Sequence, residues 1–410
     1  MRTLALAAAA ALAACAAPRP NPVGVRTGLD VLEAEHFKPL RGLRVGVITN
    51  ATGVDRAGRS VVDLLAAAPG VRLAAVFSPE HGFAAAREAD SVASDRLTVA
   101  GRVIPLYSLY RGGAEGMRPT PEQLQGLDAL VFDIQDVGVR FYTYAATMTM
   151  SMEAAKAAGL KFFVLDRPDP IGGDTVEGPI MDVPRLAGVD PVAYLPVSTR
   201  HGMTIGELAE FADARVGLEG LRVIKMRGWR RDLWFDQTGL PWVRPSPNMP
   251  DLAAAALYPG VGDLEFTNLS VGRGTPTPFG WIGAPWIDAQ ALADRLNAVP
   301  LEGVRFEPST QTPTKDAYAG LAVPGVRLIV TDRRALRPLR VFTALVTALR
   351  DLYPDDFKLR WERSRRLIGL EEFRELYETG AASADIAARF DEDAARFREQ
   401  RRPYLLYPER

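Results

Sequence analysis

A single cysteine and only three histidines in 410 residues leave little material for thiol or metal chemistry. No H-E-x-x-H or comparable ligand spacing is present, so a metal site is not expected. Lysine and arginine (49) nearly balance aspartate and glutamate (50), and no long basic run occurs, which removes the electrostatic footprint of a nucleic-acid binder. G-x-G-x-x-G and Walker A loops are missing after the first strand pattern, and so is G-x-S-x-G. Dinucleotide binding, P-loop chemistry and serine hydrolysis therefore lose support. No internal repeat or low-complexity segment follows the N-terminal region. What remains is a chain 47% hydrophobic, ample for two packed domains.

Met1 and Arg2 lead into an apolar run from Leu4 to Ala14, too short to span a bilayer as a mature helix and in keeping with an export signal. Leu12-Ala13-Ala14-Cys15 fits the bacterial lipobox, in which small residues admit the signal peptidase and the cysteine thiol takes a diacylglycerol. An exported protein avoids unpaired thiols, and the sole thiol stands where lipidation consumes it. Residues 1–15 are thus expected to be a signal peptide, and 16–40, with Pro18, Pro20 and Pro22, a tether and lead-in. Ala16 supplies no retention signal of the Asp type, so the expected location is the periplasm, at the outer membrane, with a lipid on Cys15 as the only membrane contact.

From residue 43 short β-rich apolar runs alternate with helical patterns. LRVGVITN (43–50), VRLAAVFS (71–78), VIPLYSLY (103–110), ALVFDIQD (129–136), KFFVLDRP (161–168) and LRVIKMRG (221–228) read as strands. Helices are expected near Ser60–Ala68, from Thr120 with Pro121 at the first position, over Tyr144–Ala158, and from Thr204, whose spacing to Glu207 is that of a capping box. Apolar strands separated by helices imply a mostly parallel sheet covered on both faces. The fold class is α/β: a Rossmann-like domain over 41–243, then a smaller α+β domain over 244–410. The second domain opens with a loop-rich stretch marked by Pro245, Pro247, Pro250, Gly260, Gly262, Gly272 and Gly274. Its strands are expected near 304–308 and 326–331, and its helices near 289–298, 339–353 and 386–399.

In an open parallel sheet ligands sit beyond the carboxyl ends of the strands. Those ends carry Asn50, then Pro79-Glu80-His81-Gly82, then Asp133, Gln135 and Asp136, then Asp166 and Arg167. Carboxylates converging at one edge repel one another and raise the pKa of at least one, the mixed protonation that glycoside hydrolysis requires. Glu80 leads, because Pro79 and Gly82 fix a turn around it where a strand opens onto the crevice. Asp133 and Asp136 are further catalytic candidates, though a helix cap or a pair with Arg140 would equally suit Asp133. Asp166 has an alternative as a turn residue. His81, Asp166, Arg167, Arg200 and His201 are substrate-binding candidates, arginine suiting a sugar-borne carboxylate through its bidentate fork. Gln135, Arg140, Tyr142, Asn248, Asn268 and Arg273 join them. Phe141, Tyr142, Tyr144, Phe279, Trp281 and Trp286 offer faces for stacking on a sugar ring, although core packing is the commoner use of such residues.

Taken in order, SPEHGF (78–83), PLYSLY (105–110), FDIQDVGVRFYTY (132–144), VLDRPDP (164–170), VEGP (176–179), RHGMTIGELA (200–209), LEFTNLSVGRGTPTPF (264–279) and GAPW (283–286) resemble the exo-β-N-acetylmuramidases of the NamZ type, formerly a domain of unknown function. The resemblance covers nearly the whole mature chain. It implies a Rossmann-like domain joined to a smaller one, an interdomain active site, no cofactor, and exolytic release of N-acetylmuramic acid from peptidoglycan fragments. The glutamate of the family's E-H-G motif falls on Glu80, and the acidic positions of its V-[ED]-G-P and E-x-T-N motifs fall on Glu177 and Glu265. Two departures stand out: Asp169 replaces the usual Asn, and AAAR at 84–87 replaces the usual Arg-Gly beside the E-H-G turn. Which of Asp133, Asp136, Glu177 or Glu265 partners Glu80 stays open, as do a substrate-assisted mechanism, a β-N-acetylglucosaminidase specificity and a non-catalytic muropeptide-binding lipoprotein. The oligomeric state is not readable.

Overall fold

The computed structural model describes residues 24–88, 91–183 and 186–409, so the lipobox and Cys15 lie outside the described residues. Seven strands form the main sheet: β1 (Arg44–Thr49), β2 (Arg72–Ser78), β3 (Asp95–Val99), β4 (Arg102–Ser108), β5 (Ala129–Asp133), β6 (Lys161–Leu165) and, after a separate antiparallel pair β7 (Glu177–Ile180) and β8 (Ser198–Arg200), β9 (Leu221–Ile224). Their order is β3-β4-β2-β1-β5-β6-β9, parallel except where the edge strand β3 runs against β4. β5 is buried throughout and β1 nearly so, as fully apolar strands must be when helices cover both faces. The expected Rossmann-like domain is present. β3 escaped the sequence reading because DRLTV is polar and mostly exposed, as an edge strand can be.

The helix starts follow local chemistry. Thr120 and Thr204 each accept from the N3 amide, and Gln123 and Glu207 reach back to the cap amide, so both capping boxes form. Ser60 caps Val61–Ala67. The strand ends differ from the sequence reading: β5 stops at Asp133 and β6 at Leu165, leaving Gln135, Asp136, Asp166 and Arg167 in the loops beyond.

The second half holds a three-stranded antiparallel sheet, β10 (Trp281–Gly283), β11 (Val304–Gln311) and β12 (Val323–Val330), in the order β10-β12-β11, with helices Ala289–Asn297, Pro338–Leu352 and Ser383–Arg401. The expected loop after residue 245 contains a helix, Leu252–Val261, which ends in a 3-10 turn, Gly262–Leu264. Pro259 sits near its end, and from Ala254 onward every residue is buried, so no amphipathic pattern marked it. Gly260 is required there, because a Cβ would fall 2.0 Å from the Pro338 carbonyl oxygen of the crossing helix. One apolar core runs through both halves, from Phe132 and Met148 to Tyr258, Ile282 and Phe342. The C-terminal segment returns to the first half, where Tyr407 donates to Asp166 Oδ2 at 2.6 Å.

Candidate active site

β2 runs into a turn in which the Gly82 amide donates to the Pro79 carbonyl at 3.0 Å. His81 takes φ 68° and Gly82 φ 74°. A left-handed histidine costs of order 1–3 kcal/mol, and such conformations gather at functional sites. The His81 ring and the Arg87 carbonyl lie 2.8 Å apart through Nδ1. A carbonyl only accepts, so Nδ1 donates in this contact. The turn projects Glu80, whose Oε2 accepts from the Thr143 hydroxyl at 2.5 Å. Thr143 is the residue that opens helix Tyr144–Ala157.

From the other half, the 3-10 turn Gly262–Leu264 delivers Glu265. Its Oε1 accepts from Arg273 Nη1 at 2.9 Å, and Arg273 Nε lies 2.9 Å from Asp316. Glu80 and Glu265 line one cleft of about 170 Å³ with His81, Tyr142, Thr143, Ser246, Asn248 and Arg273. Phe141, Tyr142, Tyr144, Tyr258 and Phe279 form its aromatic wall, in edge-to-face and tilted contacts of 4.5–6.1 Å. Tyr144 is set by its donation to the Pro245 carbonyl at 2.5 Å and by Asn50, the residue after β1, whose Nδ2 donates to it at 3.0 Å.

Burial pushes the Glu265 carboxyl above its usual range; Arg273 opposes this, and the charges of Asp316 and Glu80 add to it. Burial also holds the Tyr144 and Tyr258 hydroxyls far above theirs, so both stay protonated. The cleft thus joins two carboxyl groups of unlike surroundings, one on a strand-end turn and the other in an arginine pair.

Six of the expected catalytic and substrate-binding residues, Glu80, Glu265, His81, Tyr142, Asn248 and Arg273, meet here, with Phe141, Tyr144 and Phe279 of the expected stacking residues. The expectation that the remaining strand-end residues share the crevice is corrected. Asp133 is fully buried in a bidentate pair with Arg167, Nε to Oδ1 at 2.6 Å and Nη2 to Oδ2 at 2.9 Å, rather than with Arg140. Gln135 Nε2 is spent on the Asp136 and Pro168 carbonyls. Asp166 accepts from Thr204, Gly206 and Tyr407 and anchors the helix beginning at Ile205. Arg140 donates to the carbonyls of Pro179, Val197, Leu367 and Ile368, a clamp between the two halves. Asn268 ties the loop at Asp356 and Lys358. Trp281 is core, donating to the Ser309 carbonyl, and Trp286 packs on Tyr353 and Phe357.

Asp136, Asp169, Glu177, Arg200 and His201 are buried off the cleft wall. Glu177 pairs with Arg200 at 2.7 Å and faces a different cavity of about 450 Å³, bounded also by Arg337, Arg340 and Asp391. His201 Nδ1 accepts from the Met203 amide, and burial with three arginine charges lowers its pKa to about 3, so the ring is neutral. Burial raises Asp136 to about 7 and Asp169 to about 8. Asp169 is therefore neutral at pH 7, the state in which it most resembles the asparagine it replaces. The 450 Å³ cavity and one of about 650 Å³ beside Pro121–Leu127 exceed the cleft in volume, but neither brings carboxyl groups together with an aromatic wall. Among the described residues, no group of three or more His, Cys, Asp or Glu side chains is arranged to hold a metal ion.

Sequence reasoning overlooked Thr143, Ser246 and Tyr258, which line the cleft, and Glu88 and Lys315 at its rim. Thr143 lies in the FDIQDVGVRFYTY segment and was legible in principle; Tyr258 was hidden in an unrecognised helix.

A Rossmann-like domain, a smaller partner and a two-carboxylate, aromatic-walled cleft define an α/β protein with the layout of a glycosidase. The chain belongs to the exo-β-N-acetylmuramidase NamZ family, matching its N-terminal domain over residues 45–253 and its C-terminal domain over 256–407. It is 42% identical over 386 residues to the peptidoglycan β-N-acetylmuramidase NamZ of Bacillus subtilis (strain 168), which spans 93% of this chain and 91% of that protein. Two crystal structures of DUF1343 family proteins from Bacteroides fragilis share the fold. One has a TM-score of 0.83 at 34% identity, covering 95% of this chain and 100% of that one; the other has 0.73 at 29%, covering 94% and 99%.

Proposed function

We propose that this protein is an exo-acting glycoside hydrolase that releases N-acetylmuramic acid from the non-reducing ends of peptidoglycan fragments during cell-wall turnover. The observation that carries this is the meeting of Glu80 and Glu265, one from each half, in a single aromatic-walled cleft. Kinship with the Bacillus subtilis enzyme supplies the sugar.

Glu80 acts as the acid/base. Its proton passes to the glycosidic oxygen as the C1–O bond breaks and the bonding pair stays on the leaving sugar. A water then adds its hydroxyl to C1 and returns a proton to Glu80. Glu265, held by Arg273, is the partner carboxylate that stabilises the positive charge developing at the ring. Incubation with the disaccharide N-acetylmuramyl-N-acetylglucosamine should release free N-acetylmuramic acid; saturable binding without release would contradict the reading.

We further propose export and lipid anchoring through Cys15, which the Leu12-Ala13-Ala14-Cys15 sequence supports. Metabolic labelling with a fatty-acid analogue should mark the wild-type protein in its bacterial host and not Cys15→Ser.

A further inference from the structure

We infer that Asn248, Arg273 and Lys315 form a carboxylate subsite for the lactyl group of the muramic acid, and that Glu88 occupies this subsite in the free protein. The inference rests on the functional reading above and adds to it the group that reads the sugar's acid.

Glu88 follows the AAAR segment on the Rossmann-like side, and its carboxylate is held by residues at least 160 positions further along the chain. Oε1 accepts from Asn248 Nδ2, Oε2 accepts from Lys315 Nζ, and Arg273 Nη2 stands 3.7 Å from Oε1. Two hydrogen-bond donors and a third, cationic group, from three separate segments, thus converge on one carboxylate, the arrangement that a carboxylate ligand needs. Asn248 and Arg273 also line the cleft that holds Glu80 and Glu265, so the subsite opens onto the proposed reaction centre.

Two further facts point to an exchangeable occupant. Arginines expected to read a sugar carboxylate are committed elsewhere, Arg167 to Asp133 and Arg200 to Glu177, both buried. Arg273 is the one arginine or lysine on the described cleft wall, and Lys315 shares the Glu88 carboxylate with it. The Glu88 side chain is 25% exposed and that of Lys315 35%, so Glu88 can turn out into water, where its charge is solvated. Replacing it with a lactyl carboxylate exchanges one anion for another and leaves the charge balance around Arg273, Glu265 and Asp316 unchanged. Burial pushes the Glu88 carboxyl up, but the hydrogen bond and charge of Lys315, with Arg273, outweigh it and hold the group below its usual range, so it is ionised and an effective mimic.

The test is calorimetric titration of the full chain with N-acetylmuramic acid and with N-acetylglucosamine, which lacks the lactyl group, using wild type, Lys315→Met and Glu88→Gln. The wild type is expected to bind N-acetylmuramic acid at least tenfold more tightly. Lys315→Met should bring the two sugars within about threefold, and Glu88→Gln should tighten N-acetylmuramic acid at least fivefold while leaving N-acetylglucosamine unchanged. On the wild-type protein, the methyl ester of the lactyl carboxyl should lose at least tenfold, a comparison that needs no variant to fold. Equal wild-type affinities, full preference retained in Lys315→Met, or unchanged or weaker muramic acid binding by Glu88→Gln would each overturn the inference. A wild type that releases no N-acetylmuramic acid from the disaccharide sinks the functional reading instead.

Discussion

Thr143 donates its hydroxyl to Glu80 Oε2 at 2.5 Å, tying the carboxylate of the β2 turn to the residue that immediately precedes the helix beginning at Tyr144. The bond fixes one oxygen of a carboxylate that lines the cleft. Thr143→Val keeps the shape and removes the donor. It is expected to lower kcat about 10–100-fold with KM within a few-fold, the cost of a misplaced catalytic group. Thr143→Ser should restore most of the rate, and a parallel loss in both variants would show that the methyl group, rather than the hydroxyl, matters.

Arg140, an expected sugar ligand, serves as a tie between the halves of the chain. Its two terminal nitrogens together serve four carbonyls, from Pro179 and Val197 on one side and Leu367 and Ile368 on the other. Arg140→Ala removes a donor from each of four buried carbonyls, of which Val197 keeps the Met181 amide, and should cost about 3–5 kcal/mol in urea unfolding. The KM of the folded fraction should stay near wild type. A raised KM with stability intact would return Arg140 to the substrate site.

Burial raises Asp136 and Asp166 to about 7 and Asp169 and Asp263 to about 8, from an unfolded value near 3.8. Folded-state values above the unfolded ones mean that the stability these groups contribute is full below about pH 4 and is lost as pH climbs through 7 to 8. His201, lowered to about 3, works in the opposite sense below pH 6.5, one group against four. The unfolding midpoint should therefore be higher at pH 5.5 than at pH 8.5. Asp169→Asn should narrow that gap, add on the order of 1–3 kcal/mol at pH 8.5 and leave kcat within twofold. A wider gap in the variant would show that Asp169 is ionised in the folded state.

Much of the fold was legible because its signals are local. Apolar strands of five to seven residues, the Thr120 and Thr204 capping boxes and the regular β-α alternation each depend on neighbours in sequence. Helix Leu252–Val261 was not legible, since near-complete burial erases the amphipathic period and Pro259 and Gly260 read as loop. The site divides in the same way. Glu80 could be found because a strand end and a turn coincide there. Asp133 and Asp166 sit at equivalent strand ends and carry the same carboxylate chemistry, yet Arg167 and Tyr407 claim them. Those pairings join positions 34 and 241 residues apart, which no local pattern encodes. Glu88 and Lys315 are 227 residues apart and become a pair only when the two halves meet.

The central claim is that Glu80 protonates the departing sugar oxygen, and leaving-group dependence tests it most directly. 4-Nitrophenol departs readily without a proton, whereas the hydroxyl of N-acetylglucosamine does not. Initial rates of Glu80→Gln should fall about 100–10,000-fold on N-acetylmuramyl-N-acetylglucosamine and much less on 4-nitrophenyl β-N-acetylmuramide, with the folded state preserved by circular dichroism. Equal losses on both substrates would deny Glu80 the acid role, and an undiminished rate on the disaccharide would remove it from the chemistry.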